Sequence, residues 1–309
     1  MLRLAKEAGA VYVTLLKIIV PALLVVKALE LIGVTRWLAV ALAPVMGALG
    51  LPEFFSIVWA TTLMTNLFTG IVVFSEVAAG DPVTVAQVSV LGALMLMGHA
   101  LPVEGAVAKR AGVPWWLTLA LRIGGGFVLG WLLHQGYEAT GTLQQANRLA
   151  WQPERPDAGL SAWLWFQGRT LGGIYFIILG LMVLLAVLRR LGIERLMHTL
   201  LGPPLRVLGI GREAANTTVI GLTLGLSYGA GLLIRDTDSG ALGPRDAYLT
   251  LCFLGLCHSL IEDTLLIALI GADLSAVLWG RLVMAFALVG LIARFKPGDR
   301  LDDAVEADG

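Results

Sequence analysis

The chain has 309 residues, 57% of them hydrophobic and 14% charged, and its mean hydropathy is +0.82. Soluble domains carry roughly 25% charged and about 45–50% apolar residues, so a water-soluble enzyme is excluded, and so is a disordered chain, which needs low hydrophobicity and high net charge. Lys+Arg and Asp+Glu are both 22, which leaves no electrostatic basis for a nucleic-acid partner. The class that remains is an all-α integral membrane protein with the lipid bilayer as its first partner.

In chain order, MLRLAKEAG is short and basic, and the apolar run 10–33 after it is longer than a signal-peptide core and has no small-residue cleavage site. It reads as a retained first span. An amphipathic piece with a central proline follows at 35–50, then an apolar stretch interrupted by polar residues and glycine at 54–77. A long segment broken near its histidine covers 84–110, and a span at 114–134 closes the series. After a polar linker, 136–159, the same series returns at 166–188, 194–209, 213–235, 244–270 and 274–295. Residues 296–309, with Asp299, Asp302, Asp303, Glu306 and Asp308, read as a solvated acidic tail. Cys252 and Cys257 lie inside an apolar stretch and form no CxxC pattern.

The recurrence is visible residue by residue. A shift of 159 lays Gly33 over Gly192, Arg36 over Arg195, Pro44 over Pro203, Gly70 over Gly229, His99 over His258, Gly112 over Gly271 and Arg122 over Arg281, without a gap. Chance rarely puts the sparse polar residues of an apolar chain in register. The expected units are 1–135 and 160–295, with 136–159 as an external linker and 296–309 as a cytoplasmic tail.

Charge decides how each unit meets the bilayer. If the third element of each unit dips in and returns, each unit crosses three times and the second is inverted. The cytoplasmic ends then carry fourteen Lys and Arg, among them Arg3, Lys6, Lys109, Arg110, Arg189, Arg190, Arg195, Arg206, Arg212 and Arg245, against Arg36, Arg148 and Arg155 outside. That is a strong positive-inside bias. Full crossing of the third element would move Arg189 through Arg212 to the other side. The expectation is therefore six crossing helices, two re-entrant hairpins and amphipathic interfacial helices in two inverted repeats, with both termini cytoplasmic in a bacterial-type inner membrane. The hairpin tips fall at Thr65-Asn66 and at Ser227-Tyr228-Gly229. Broken helices at the midplane of inverted repeats are where transporters form substrate sites.

Pro44 with Leu49-Gly50, Pro203 with Leu208-Gly209, and the hairpin glycines Gly70 and Gly229 carry a further likeness. The layout resembles the Gate domain shared by concentrative nucleoside transporters, the ferrous-iron permease FeoB and the spore-maturation membrane proteins. The resemblance covers nearly the whole chain and implies a transporter; because some Gate proteins form oligomers, it also implies a homo-oligomer. Neither 61–70 nor 220–231 contains Glu or Gln, and no Gly-Lys pair exists for a P-loop, so the substrate stays open between a nucleoside, an ion and another small polar solute.

The polar residues inside the apolar segments are the site candidates, since ionisable groups at that depth are expensive. His99 and His258 occupy matched positions in the broken segments. Glu104 and Asp263 each follow their histidine by five residues, and Glu262 follows His258 by four. In an unbroken helix Glu262 shares the face of His258 and Asp263 does not. The simpler reading pairs Glu104 with Arg122 and Asp263 with Arg281, which leaves Glu262 with His258 as the core of a proton or substrate site, and His99 opposite. Thr65, Asn66 and Ser227 at the hairpin tips complete the expected site. Lys17 either joins an internal ion pair or meets an anionic substrate, and Lys27 either snorkels or pairs with Glu30. His99, His258, Glu262 and Cys257 offer N, O and S donors, so a divalent transition-metal permease is the alternative to a proton- or cation-coupled transporter of a small polar or ionic solute. No cofactor is implied. Gly225-Leu-Ser227-Tyr-Gly229 matches G-x-S-x-G, but a nucleophile elbow needs an α/β sheet that this chain lacks. An enzyme is not expected, and an accessory membrane subunit is the remaining alternative.

Overall fold

The computed structural model describes residues 2–78, 82–110, 112–147, 159–225, 229, 232–233, 236, 239 and 242–295. Ser227, Tyr228, Arg148, Arg155 and the tail 296–309 lie outside them. Among the described residues the chain is helical, with no strand.

Helix α1 runs Leu2–Leu31 and α2 Val34–Ala48. The expected hairpin follows as two short helices, α3 Phe55–Met64 and α4 Leu67–Val77. Ten and eleven residues rise only about 15–17 Å, half of the ~30 Å hydrocarbon core. The turn between them is set locally. The Thr65 hydroxyl donates to Thr61 O at 2.6 Å. Asn66 Oδ1 caps α4, accepting from Thr69 N at 3.0 Å. The hairpin closes tightly because Gly70 faces Thr62, where a Cβ would stand 2.0 Å from Oγ1.

Next come α5 Val85–Gly98 and α6 Leu101–Arg110. A capping box starts α5: Thr84 Oγ1 accepts from Gln87 N, and Gln87 Oε1 accepts from Thr84 N. The short α7, Trp115–Leu119, passes through a π-helical turn at Ala120–Gly124 into α8, Gly125–Thr140. The first residues of the polar linker are thus helical. The stretch after them pairs with the start of α5, through Val85 N to Gln145 O at 3.1 Å and Ala86 N to Leu143 O at 2.9 Å.

The second half holds α9 Leu160–Arg190, α10 Ile193–Val207, α11 Arg212–Leu224, α12 Pro244–Leu256 and α13 Glu262–Ala268. A second π-helical turn, Ser275–Gly280, leads into α14, Arg281–Phe295. Left-handed backbone recurs at the 159-residue spacing: Gly33 and Gly192, Gly50 and Gly209, Ala100 and Ser259, Gly112 and Gly271.

Among the described residues, five stretches are long and apolar enough to cross a membrane: Lys6–Leu29, Val85–Arg110, Trp115–Thr140, Ser161–Leu188 and Ser275–Phe295. The sixth expected crossing, 244–270, is split into α12 and α13 by the irregular residues between them. Helices α5 and α12 form the centre, with Leu91, Met95, Leu96, Phe253 and Leu254 fully or almost fully buried. Helices α1 and α9 pack on each other at the periphery, where Tyr12 Oη donates to Leu171 O at 3.1 Å. They expose Leu24, Val25, Trp165 and Phe176, an apolar surface suited to lipid.

Candidate functional site

The centre forms where two helices stop. Helix α5 ends at Gly98. His99 turns to extended backbone, and Ala100 takes φ 49° before α6 begins. Helix α12 ends at Leu256, and Ser259 takes φ 43° before α13 begins. Backbone freed at such a break must find partners when no water is at hand. Ala100 N donates to Thr62 O at 3.1 Å and Leu260 N to Leu222 O at 2.7 Å. Each break is therefore stitched to the C-terminal end of the preceding short helix, α3 or α11.

Two buried arginines complete the scaffold. Arg122 lies in the first π-helical turn and Arg281 directly follows the second, and π-turns of this kind gather at functional sites. Arg122 donates from Nε to Met97 O at 2.9 Å and from Nη2 to His99 O at 2.7 Å. Arg281 repeats the pattern, Nε to Leu256 O at 3.0 Å and Nη2 to His258 O at 2.8 Å. Each guanidinium thus sits on the negative end of a helix dipole.

Within this frame the histidines meet. His99 Nε2 and His258 Nε2 are 3.1 Å apart. Glu104 Oε1 lies 3.3 Å from the first and 3.2 Å from the second. Glu104 Oε2 is held by Arg122. Asp263 Oδ2 stands farther back, 3.9 and 4.0 Å from the two Nε2 atoms and 3.8 Å from Arg281. One methylene separates the two carboxylates, and the longer side chain is the one that reaches both rings. All six residues are buried. A small cavity lined by Glu104, Arg122, Thr118 and Cys252 reaches the cluster from the α12 side.

The Nδ1 atoms fix the ring tautomers. His258 Nδ1 contacts Leu254 O at 2.8 Å, and His99 Nδ1 contacts Met95 O and Leu96 O at 3.2 Å. Carbonyls only accept, so each Nδ1 carries hydrogen and each neutral ring turns a lone pair at Nε2 toward its partner and toward Glu104. With both rings neutral, three lone-pair-bearing atoms converge, an arrangement that a shared proton or a metal ion relieves.

The structure therefore brings together His99, His258, Glu104, Asp263, Arg122 and Arg281. Glu262 is outside the metal-capable group found among the described residues. The face argument for Glu262 assumed a continuous helix, and the chain is irregular from Cys257 to Ile261, so Glu262 opens α13 as a half-buried residue. Cys257 is buried at the end of α12, and the metal-capable group among the described residues is His99, Glu104 and His258. Thr65 and Asn66 serve the hairpin turn. Ser227 lies outside the described residues. Lys17 is exposed on α1, and Lys27 Nζ lies 5.7 Å from the Trp163 ring centroid.

A second polar group went unnoticed in the sequence. Glu76, on α4, accepts from Trp163 Nε1 at 2.7 Å and Gln167 Nε2 at 2.8 Å, tying the first hairpin to α9. Its signal was the one charged residue in the stretch 54–77.

Comparison with known proteins gives two matches. A family model described as Gate, nucleoside recognition, matches residues 172–274, a range that holds His258 and Asp263. Over 297 residues the chain is 31% identical to the "Uncharacterized membrane protein YvoD" of Bacillus subtilis (strain 168), covering 92% of each chain. No solved structure matches it.

Proposed function

The chain belongs to the Gate, nucleoside-recognition, family of membrane proteins, and from that premise we propose that it is a secondary transporter of a small polar or ionic solute, coupled to a proton or another cation. The observation that carries this reading is the meeting of His99 and His258, one from each half of the chain, at 3.1 Å in the buried centre. Groups of this kind inside a membrane protein mark ion pathways and proton relays. Irregular backbone at that depth is tolerated where it is buried in protein or lines a cavity, and interrupted helices at the junction of two repeats are where transporters bind their cargo.

The roles divide by geometry. Arg122 and Arg281 hold the broken ends of α5 and α12. Glu104 and the two Nε2 atoms take the cation, and Asp263 is the carboxylate in reserve. The short helices α3 and α11 are tied to the same breaks, so a shift of either one moves a backbone partner of the centre. In this reading the halves are inverted repeats, both termini face the cytoplasm of a bacterial inner membrane, and exposure of the centre alternates as one half rocks against the other.

The reading is tested with the full chain in proteoliposomes on a solid-supported membrane, challenged with Zn²⁺, uridine and succinate under an imposed pH gradient. A current that one of these solutes evokes, and that is lost in His258→Gln, is the expected result. Silence toward every solute class, with protein oriented and folded, contradicts it and favours an accessory subunit.

A further inference from the structure

We propose that His99 Nε2, His258 Nε2 and Glu104 Oε1 bind a divalent transition-metal ion, with Asp263 as its fourth ligand. This deepens the transport reading by naming the ion that the same centre takes.

The triangle has the dimensions such an ion needs. Its edges are 3.1, 3.2 and 3.3 Å. Four ligands set tetrahedrally at about 2.0–2.1 Å from zinc stand roughly 3.3–3.4 Å from one another. An ion just above the plane of the three atoms would touch all of them with little movement.

The donor atoms are already prepared. Both rings give Nδ1–H to backbone carbonyls, the second-shell bond that metal-bound histidines commonly make. Both Nε2 lone pairs therefore face inward. Glu104 is fixed through its other oxygen by Arg122, so Oε1 is free to ligate. Asp263 Oδ2 is buried with no hydrogen-bond partner in the structure. It stands 3.9 and 4.0 Å from the two Nε2 atoms, close enough to close the fourth position by a side-chain rotation.

The donor chemistry fits as well. The two carboxylates supply anionic ligand oxygens, and the charge the ion adds beside the two guanidiniums is offset in part by the carbonyls of Met97, His99, Leu256 and His258 at the negative ends of α5 and α12. Two imidazoles with carboxylate oxygens select borderline ions such as Zn²⁺ or Co²⁺ over Mg²⁺ or Ca²⁺, which prefer oxygen alone.

The experiment uses the full chain in detergent, purified without a polyhistidine tag, stripped with chelator and reloaded with Zn²⁺. Metal content and X-ray absorption are then read. One zinc per chain is expected, with two imidazole nitrogens and carboxylate oxygens at about 2.0–2.1 Å. Affinity should fall at least tenfold in His99→Gln and in Glu104→Gln. The wild-type spectrum decides the matter even if these variants do not fold. Substoichiometric zinc, a shell without imidazole, a shell containing sulfur, or retention of tight zinc in folded His99→Gln would overturn the assignment. Binding is read without transport, so a wild type that binds zinc in detergent but moves no solute in vesicles keeps this site and removes the transport reading; transport without zinc binding does the reverse.

Discussion

The two carboxylates of the centre occupy matched positions and have unequal surroundings. Glu104 is held by Arg122 and lies within 3.3 Å of both histidines. Asp263 stops 3.8 Å short of Arg281, and its Oδ2 has no hydrogen-bond donor. Removing one partner of a buried ion pair leaves a charge uncompensated and costs about 3–5 kcal/mol. Glu104→Gln should therefore lower stability by an amount in that range. Asp263→Asn should cost less, because Asp263 stands 3.8 Å from Arg281 while Glu104 is hydrogen-bonded to Arg122. Melting curves of the two purified variants check the order, and equal losses would contradict it. The residue types and their spacing were legible in the sequence, down to which arginine stands nearest which acid. Which acid reaches both imidazoles was not, since it turns on the single methylene by which Glu exceeds Asp and on where the chain folds back.

At the scale of elements, the segments and their interruptions near His99 and near His258 are legible in the sequence, but the backbone geometry of each break is not. Pro102 sits in the first turn of α6, where its missing N–H costs nothing. The break lies at His99 and Ala100, and its counterpart runs from Cys257 to Ile261. Left-handed backbone at Ala100 and Ser259 has no sequence signature, since neither is glycine. That is why the helical-face argument for Glu262 did not survive. The hairpin glycines were better signals. A Cβ on Gly70 would meet Thr62 Oγ1 at 2.0 Å, and one on Gly229 would meet Gly221 Cα at 2.9 Å. A hydroxyl can rotate away and a backbone cannot. Overpacking of this kind costs about 1–3 kcal/mol, so Gly70→Ala and Gly229→Ala should both lower the melting temperature, Gly229→Ala the more. Unchanged melting in both would mean that the hairpins do not pack this closely.

For the whole molecule, an orientation in the bilayer follows from the distribution of Lys and Arg rather than from packing. It predicts opposite sides for two exposed positions, Gln145 and Arg195. A cysteine at Gln145 should react with an impermeant maleimide added to intact cells, and one at Arg195 should react only after lysis. The native Cys252 and Cys257 are buried and should stay silent. The reverse pattern would remove the inverted arrangement and, with it, the alternating exposure of the centre. The most direct test of the account joins that exposure to the chemistry of the cluster. Proteoliposomes holding wild type or His258→Gln at equal density, with the variant's fold checked by its melting curve, are loaded with a pH dye and given an external pulse of the solute that drives current in the wild type. The account predicts solute uptake in the wild type, with internal pH reporting whether a proton is the coupled cation, and no uptake in His258→Gln. Uptake at the wild-type rate in a folded His258→Gln protein would contradict it.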